Sequence, residues 1–296
     1  MSSAVLYLIR HTTTYLYRTE VAAARCTLHL QPETGGNQRV FSAQLTIAPK
    51  PLEQTEAVDF FGNRTTHVRF AGTATRHRFE SRVRIEVQPR ETPHALLTPS
   101  WGEVTQSALL VPDLCGSAPA HYLFASRFVP LLAEARDYAL ASFEPGRPVL
   151  DGAIEMMKRI HRDFVYDPNA TDISTPLDVV ARTRHGVCQD FAHWMLAGLR
   201  AIGIPAAYVS GYLRTHPPPG QERLVGADAS HAWVSVWCGA GLGWVDLDPT
   251  NAVPANEDHV RVAVGRDYAD VAPVDGVVVA SAGHSLRVSV DVAPLG

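Results

Sequence analysis

A single amphipathic helix followed closely by strands is the pattern that most constrains the fold of this chain. Apolar side chains recur at steps of three and four, at positions 188, 191, 192, 195, 196, 199 and 202. Such steps place the apolar residues in one stripe along a helix. Gly203 ends the predicted helix and Pro205 follows it, as is usual at a helix C-terminus. The stripe requires a second layer of structure to cover it.

Strands predicted directly after this helix supply that layer. They cover residues 207–213, 232–237 and 244–247, and the glycine-rich segment 238–243 joins the last two as a hairpin loop. The prolines at 217–219 mark a loop between the first two strands. We therefore predict an α+β core in which a helix packs on an antiparallel sheet.

The N-terminal part of the chain shows the alternation of strands instead of helical spacing. The clearest case is FESRVRIEV, residues 79–87, whose apolar and charged side chains lie on opposite faces. Further strand-like runs stand at residues 5–9, 26–30, 41–47 and 67–70. Glycine, proline and asparagine turn signals separate several of these runs. An antiparallel β-sandwich or a small barrel is the natural packing for such strands.

The chain thus divides into three predicted parts. Residues 1–95 form an N-terminal β-domain, and residues 96–148 form a mainly helical connection. Residues 149–296 form the core together with C-terminal strands, because helical spacing resumes at 149–162 and strand-like runs return near the end of the sequence.

Charge and composition exclude several classes of partner. The 26 basic and 30 acidic residues give a net charge of -4, so no overall positive charge favours nucleic acid or an anionic membrane. The first residues, MSSAVLYLIRHTTTY, soon become polar, and no segment reaches the length of apolar sequence that spans a membrane. The four cysteines lie far apart and form no CxxC pair. These features predict a cytoplasmic protein with reduced thiols.

One thiol, Cys188, is the first residue of the predicted 188–202 helix. A thiol there lies near unpaired backbone N–H groups and the positive end of the helix dipole, which both favour the nucleophilic thiolate. The alternative is a buried small hydrophobic residue, since Cys188 also belongs to the apolar stripe. Cys26, Cys115 and Cys238 have no base-like neighbours in the sequence and are predicted to be packing residues.

A histidine and an aspartate follow on neighbouring predicted strands. His231 heads one strand and Asp248 ends the next, so the hairpin would place them roughly opposite each other at its open end. An acid that accepts from one ring nitrogen orients the other nitrogen toward a nucleophile. The alternative is a strand-end histidine capped by a turn aspartate. Asp246 is a second candidate for the acid, because it has the same strand parity as Asp248.

Three blocks in this order resemble the transglutaminase-like superfamily. GVCQDFAH, residues 186–193, is similar to its Gly-x-Cys-x-x-x-Ala signature, and SHAWVSVW and GWVDLDPTN resemble its histidine and aspartate strands. HTTTYLY, LQP and DFFGN resemble the N-terminal β-region of bacterial members, and residues 264–273 resemble their C-terminal stretch. The resemblance implies a papain-like core with Cys188 as nucleophile, His231 as base and Asp248 as orienting acid, which family position favours over Asp246.

The resemblance also implies acyl transfer through a thioester. Bacterial members are widely regarded as protease-like, so we expect a cysteine-dependent amide hydrolase, a peptidase or amidase, that acts on a peptide or protein and needs no cofactor. Transglutaminase-type transfer to an amine is the alternative that uses the same triad. A non-catalytic protein-binding module on the same fold is the alternative of another class. The oligomeric state is not predicted.

An acyl-transfer enzyme must also stabilise a tetrahedral oxyanion. The backbone N–H of Cys188 is the expected first donor. Tyr166 and the Gln189 amide are candidates for the second, and for Tyr166 the alternative is a ring packed on the core. Asp190 is expected to place a favourable negative charge in the first turn of the helix, with contact to a substrate cation as the alternative.

A zinc site is a further hypothesis, because the chain has 13 histidines. His185, Cys188 and His193 stand close in sequence, and His231 and Cys238 follow downstream. The spacing places Cys188 and His193 on different faces of one helix, and strand parity points Cys238 away from His231. No metal site is therefore predicted, and no EF-hand loop motif indicates calcium.

Overall fold

The computed structural model describes residues 3–216, 229–281 and 283–295, so the predicted proline loop at 217–219 lies outside the described residues. The helices of the described part are α1 (Trp101–Ala108), α2 (Ala133–Leu140), α3 (Val149–Asp163), α4 (Leu177–Thr183), α5 (Cys188–Ala201) and α6 (Tyr268–Val271). Within these described ranges, no helix has both the length and the apolar character that a membrane span requires.

The strands of the described part form two antiparallel sheets and one short parallel pair. They are β1 (Val5–Leu28), β2 (Gln38–Ala48), β3 (Glu53–Val58), β4 (Arg64–Val87), β5 (Val165–Tyr166), β6 (His185–Gly186), β7 (Ala206–Leu213), β8 (Ala229–Trp237), β9 (Trp244–Asp248), β10 (Val253–Pro254), β11 (His259–Gly265), β12 (Val274–Val279) and β13 (His284–Leu295).

The larger sheet has six strands and is built around β1 and β4. β2 and β3 pair with β4, whereas the C-terminal strands β12 and β13 pair with β1. The last strands of the chain, which the sequence grouped with the core, therefore lie in the same sheet as the first strands. The alternation predicted over residues 79–87 is confirmed, because its apolar members are buried: Phe79, Val83, Ile85 and Val87.

The prediction of two separate strands at residues 5–9 and 26–30 is wrong, because β1 runs through both. The polar residues between them stay extended since they pair on two sides: His11 lies opposite Ser81 of β4 and opposite Val290 of β13. The register with β4 shifts between Leu16 and Ala23, where the apolar alternation is interrupted. From the sequence, the interruption predicts the end of a strand. In the structure it is an irregularity within one continuous strand.

The smaller sheet forms the core, with strand order β10-β9-β8-β7-β11. α5 packs against β7 and β8 and buries its stripe, including Phe191, Met195 and Leu199. The helix ends one residue before the predicted boundary, where Gly203 takes a φ of 84° and donates its N–H to the Arg200 carbonyl. The predicted fold class is confirmed: it is α+β, with a helix packed on an antiparallel sheet.

The two sheets contact each other through β7 and β11. Tyr212, Val260 and Val262 of these strands share a hydrophobic cluster with Tyr7 and Ile85 of the larger sheet. This contact holds the N-terminal sheet beside the start of β11, close to the end of β8 that carries His231.

Candidate active site

Cys188 begins α5 and is half-buried. The preceding residue, Val187, has an extended backbone, and its N–H donates to Asp190 Oδ2 at 2.8 Å. Asp190 is buried and also accepts from Thr171 Oγ1 at 2.7 Å, and burial raises the pKa of its carboxyl group. Asp190 thus fixes the start of the helix that carries Cys188, and its burial leaves no open path to a substrate cation.

Gly186 lies where a side chain would collide with this helix start. A Cβ atom on Gly186 would stand 2.6 Å from Asp190 Oδ2 and 2.9 Å from Asp190 Cβ. We expect Gly186→Ala to displace Asp190 and to lower the free energy of unfolding by about 1–3 kcal/mol. Urea denaturation measures this change.

Gly102→Ala is the matched control for Gly186→Ala. A Cβ atom on Gly102 would meet no heavy atom within 4 Å, and Gly102 lies in α1, where alanine is the better helix former. Its free energy of unfolding should be unchanged or slightly higher. An unfolding free energy of Gly186→Ala equal to that of the unsubstituted chain would contradict this account of the helix start.

His231 and Asp248 meet through a hydrogen bond. His231 Nε2 lies 2.7 Å from Asp248 Oδ2, and the two residues are 7% and 0% exposed. The pairing of β8 with β9 ends at Val234 and Leu247, so Asp248 lies just past the last pair and reaches His231 diagonally. Because a carboxylate only accepts, Nε2 carries the proton, and Nδ1 is the ring nitrogen left for Cys188, whose side chain helps to raise the pKa of His231.

Asp246, the other candidate for the acid, lies apart from His231. Its carboxylate pairs with Arg90 Nη1 at 3.7 Å, and the backbone oxygen of Asp246 accepts from the N–H of Ala255. The structure therefore brings Asp248 to the histidine and directs Asp246 to an arginine of the segment after β4.

Both oxygen atoms of the Asp248 carboxylate accept several hydrogen bonds. Its Oδ1 accepts from the backbone N–H groups of Thr250 and Asn251 at 2.9 Å and 3.2 Å. Its Oδ2 accepts from Asn251 Nδ2 at 2.7 Å and from His259 Nε2 at 3.2 Å, besides His231. Burial raises the pKa of Asp248, but the hydrogen bonds to His231 and His259 outweigh it and hold this pKa well below its usual range. Asp248 is therefore ionised at neutral pH.

The charge of His231 follows from its two partners. Burial lowers the pKa of the imidazole, but the hydrogen bond to Asp248 and the nearby Cys188 side chain more than offset it and raise the pKa to about 10. An imidazolium between a carboxylate and a sulfur atom stabilises a thiolate, which is the form of cysteine that attacks carbonyl carbon.

Tyr166, the sequence-predicted oxyanion donor, lies beside the start of α5. Its strand β5 pairs with β6, which places Tyr166 opposite Gly186. The side chain is 53% exposed, and burial followed by the charge of Cys188 raises the pKa of its hydroxyl group. The hydroxyl therefore keeps its proton at neutral pH. Gln189, the other candidate, is the half-buried second residue of α5.

A cavity of about 270 Å³ lies near the start of β8. Its lining includes Ser230, which precedes His231, and Tyr268, whose pKa is raised first by burial and also by the charges of Asp275 and Cys188. Phe128 and Ile173 add apolar surface to the same cavity. A second cavity, of about 360 Å³, is lined by Arg90 and Asp246, and the residues that line the two cavities do not include Cys188, His231 or Asp248.

The residues considered for zinc are not assembled into one site within the described residues. His193 is buried away from solvent and accepts from the Tyr268 N–H at 3.2 Å, and burial lowers the pKa of its imidazole to about 3. The acidic and histidine group that does assemble is His231, Asp248 and His259. Its shortest contact, 2.7 Å between His231 Nε2 and Asp248 Oδ2, is a hydrogen-bond distance.

Sequence reasoning missed two side chains that hydrogen-bond to Asp248. Asn251 lies in the quoted GWVDLDPTN block, and the turn-forming Asp-Pro-Thr-Asn pattern could have indicated that its amide folds back on Asp248. His259 gives no such signal, because it is a single histidine at a strand start, and only the folded sheet brings it to Asp248.

Two family models match this chain. The model of the bacterial transglutaminase-like N-terminal region matches residues 7–86, and that of the transglutaminase-like superfamily matches residues 138–249. An uncharacterized protein of Mycobacterium tuberculosis is 36% identical over 99% of this chain and 94% of its own length. A protein-glutamine gamma-glutamyltransferase of Pseudomonas aeruginosa is 40% identical over 96 residues, which are 31% of this chain and 14% of that protein.

One solved structure has the same overall fold. It is the crystal structure of a "putative cysteine protease" from Cytophaga hutchinsonii, which superposes with a TM-score of 0.76 over 100% of this chain and 92% of that chain. The sequence identity is 21%, so this likeness concerns the fold alone.

Proposed function

We propose that this chain, which belongs to the transglutaminase-like superfamily, is a cysteine-dependent amide hydrolase that acts on a peptide or protein. The observation that supports this proposal most is the buried hydrogen bond of 2.7 Å between His231 and Asp248, with the Cys188 side chain close enough to raise the pKa of the same imidazole. These contacts are the geometry that a Cys-His-Asp triad needs: a nucleophile, a base and an acid that orients the base.

In the proposed reaction the thiolate of Cys188 attacks the carbonyl carbon of the amide. The C–N bond then breaks, and the His231 imidazolium gives its proton to the leaving amine, so a thioester and a free amine result. Water next attacks the thioester carbonyl while His231 takes the proton of that water. The C–S bond breaks, the carboxylic acid leaves, and the thiolate and imidazolium are restored. Asp248 remains ionised throughout and holds the imidazole in place.

The oxyanion of each tetrahedral intermediate needs at least one fixed donor. The N–H of Cys188 serves as the first, because the opening residues of a helix have no intrahelical acceptor. The Tyr166 hydroxyl serves as the second in this proposal, since the backbone of Tyr166 pairs with Gly186, the charge of Cys188 acts on the hydroxyl, and the hydroxyl remains protonated at neutral pH. The Gln189 amide is the alternative donor.

Transfer of the acyl group to an amine is the second candidate function. The Pseudomonas aeruginosa relative, named as a protein-glutamine gamma-glutamyltransferase, favours it, because 96 residues of this chain are 40% identical to that protein. The same thioester would form from a glutamine side chain, ammonia would leave, and a primary amine would replace water as acceptor.

A peptide library incubated with and without a primary amine separates the two reactions. Hydrolysis predicts cleaved peptides in both samples, whereas transfer predicts a mass gain equal to the amine minus ammonia. The same incubation with Cys188→Ala is the control and should give neither product. Absence of both products from the unsubstituted chain, across the library, would contradict the enzyme proposal and favour a binding module on the same fold.

We also propose a cytoplasmic location for the protein. All four cysteines are free thiols, and Cys115 is exposed. Exposed free thiols persist in a reducing compartment. Cell fractionation that recovers the protein outside the cytoplasm would contradict this location.

A further inference from the structure

We propose that His259 is a positioning residue of the Cys-His-Asp site, which fixes the Asp248 carboxylate in the orientation that His231 requires. This inference rests on the proposed function. His259 Nε2 lies 3.2 Å from Asp248 Oδ2, the same oxygen atom that binds His231 Nε2 at 2.7 Å. A single oxygen atom therefore joins the two imidazoles.

His259 is held in a rigid, buried place. The residue is 5% exposed, and its ring packs edge-on against Trp233, with centroids 5.3 Å apart and an interplanar angle of 80°. The backbone N–H of His259 donates to the backbone carbonyl oxygen of Asn256 at 3.0 Å. The ring therefore has little freedom to turn away from Asp248.

The second ring nitrogen of His259 has partners in the turn before β11. Nδ1 lies 2.9 Å from Asn256 Oδ1 and 3.2 Å from the backbone nitrogen of Asn256. Asn256 Oδ1 also accepts from the backbone N–H of Asp258 at 3.0 Å, which fixes the amide group. The ionised Asp248 carboxylate can only accept, so Nε2 donates to it. Both nitrogen atoms of the ring are therefore held by hydrogen bonds.

His259 anchors Asp248 in a way that the other donors cannot. Thr250 and Asn251 lie two and three residues after Asp248 in the same turn, so their N–H groups move with it. His259 begins β11, which is separated from β9 in the core sheet by β8 and β7. Its hydrogen bond therefore ties the end of β9 to the far side of the sheet and fixes the carboxylate relative to the strand that carries His231.

His259→Phe removes the donor and keeps a ring of similar size against Trp233. We expect kcat to fall about tenfold to a hundredfold, with KM nearly unchanged. Loss of a residue that orients a functional side chain without touching the substrate typically lowers activity by this factor. His259→Gln keeps an N–H donor near the position of Nε2 and should restore most of kcat. His67→Phe, at an exposed histidine of β4, is the matched control and should leave kcat unchanged.

Alkylation of Cys188 by iodoacetamide at pH 6.5 gives a readout that needs no substrate. Each variant is compared at equal folded fraction, and the alkylated peptide is identified by mass spectrometry. The proposal predicts slower alkylation in His259→Phe, by about tenfold, and recovery in His259→Gln. Equal rates and equal kcat in both variants and the unsubstituted chain would overturn it. If Cys188 of the unsubstituted chain does not react with iodoacetamide at pH 6.5, the proposed function itself would be overturned.

Discussion

Replacing Cys188 with alanine is expected to abolish amide cleavage, with a loss in kcat on the order of 10⁴-fold or more, because no thioester can form without the sulfur atom. The folded state should change little. Cys188 is half-buried at the first residue of α5, and the backbone bonds that start this helix involve Val187 and Asp190. Steady-state kinetics and thermal unfolding, measured on the same preparation, test both parts.

Cys115→Ala is the matched control for Cys188→Ala. Cys115 is exposed and lies beside Asp113 in the connection between the sheets, so its loss should leave kcat unchanged. Retention of more than a trace of activity in Cys188→Ala, with a native unfolding profile, would show that another group supplies the nucleophile.

Replacing Asp248 with asparagine should have the second largest effect, a loss in kcat on the order of 10² to 10⁴-fold. An amide has one oxygen atom and one NH₂ group, whereas the site offers donors to both oxygen atoms of the carboxylate. The NH₂ group of the new asparagine would therefore lie against N–H donors of the site and could not accept their hydrogen bonds. The imidazole of His231 would lose the acceptor that fixes its tautomer.

The pH dependence of Asp248→Asn follows from the pKa of His231. The hydrogen bond and the charge of Asp248 both raise that pKa, so their loss lowers it. The imidazolium then loses its proton at a lower pH, and the alkaline limb of the kcat profile moves toward neutral pH. The kcat–pH profiles of both proteins measure this shift.

Asp246→Asn provides the control for the choice of acid. Asp246 pairs with Arg90 and has no contact with His231 in the described structure, so its loss should leave kcat and the alkaline limb unchanged. A larger loss in Asp246→Asn than in Asp248→Asn would contradict the assignment of Asp248.

The core was predictable from sequence because its signals are local. The stripe of α5, its glycine stop and the strands that follow lie within about sixty residues of continuous sequence. The observed bounds differ by one residue for α5, β7 and β9 and by three residues at the start of β8. The proximity of His231 and Asp248 was predictable for the same reason, since one short hairpin joins their strands.

The remaining features depend on contacts between distant parts of the chain. Strand parity alone leaves Asp246 and Asp248 equivalent, and the difference between them comes from Arg90 and from the end of the β8–β9 pairing. His259 reaches Asp248 only when β11 joins the sheet beside β7. The pairing of β12 and β13 with β1 joins the two ends of the sequence, which no periodicity indicates.

The rate of Cys188 alkylation by iodoacetamide against pH tests the central claim most directly. Cys26 and Cys238 are buried, and burial raises the pKa of these thiols to about 11 and about 12, so peptide mass spectrometry need follow only Cys188 and the exposed Cys115. The triad predicts that reactivity of Cys188 persists below pH 7 and falls in His231→Ala. Reactivity that rises only near pH ~8.5, the range of a free thiol, and is the same in His231→Ala would contradict it.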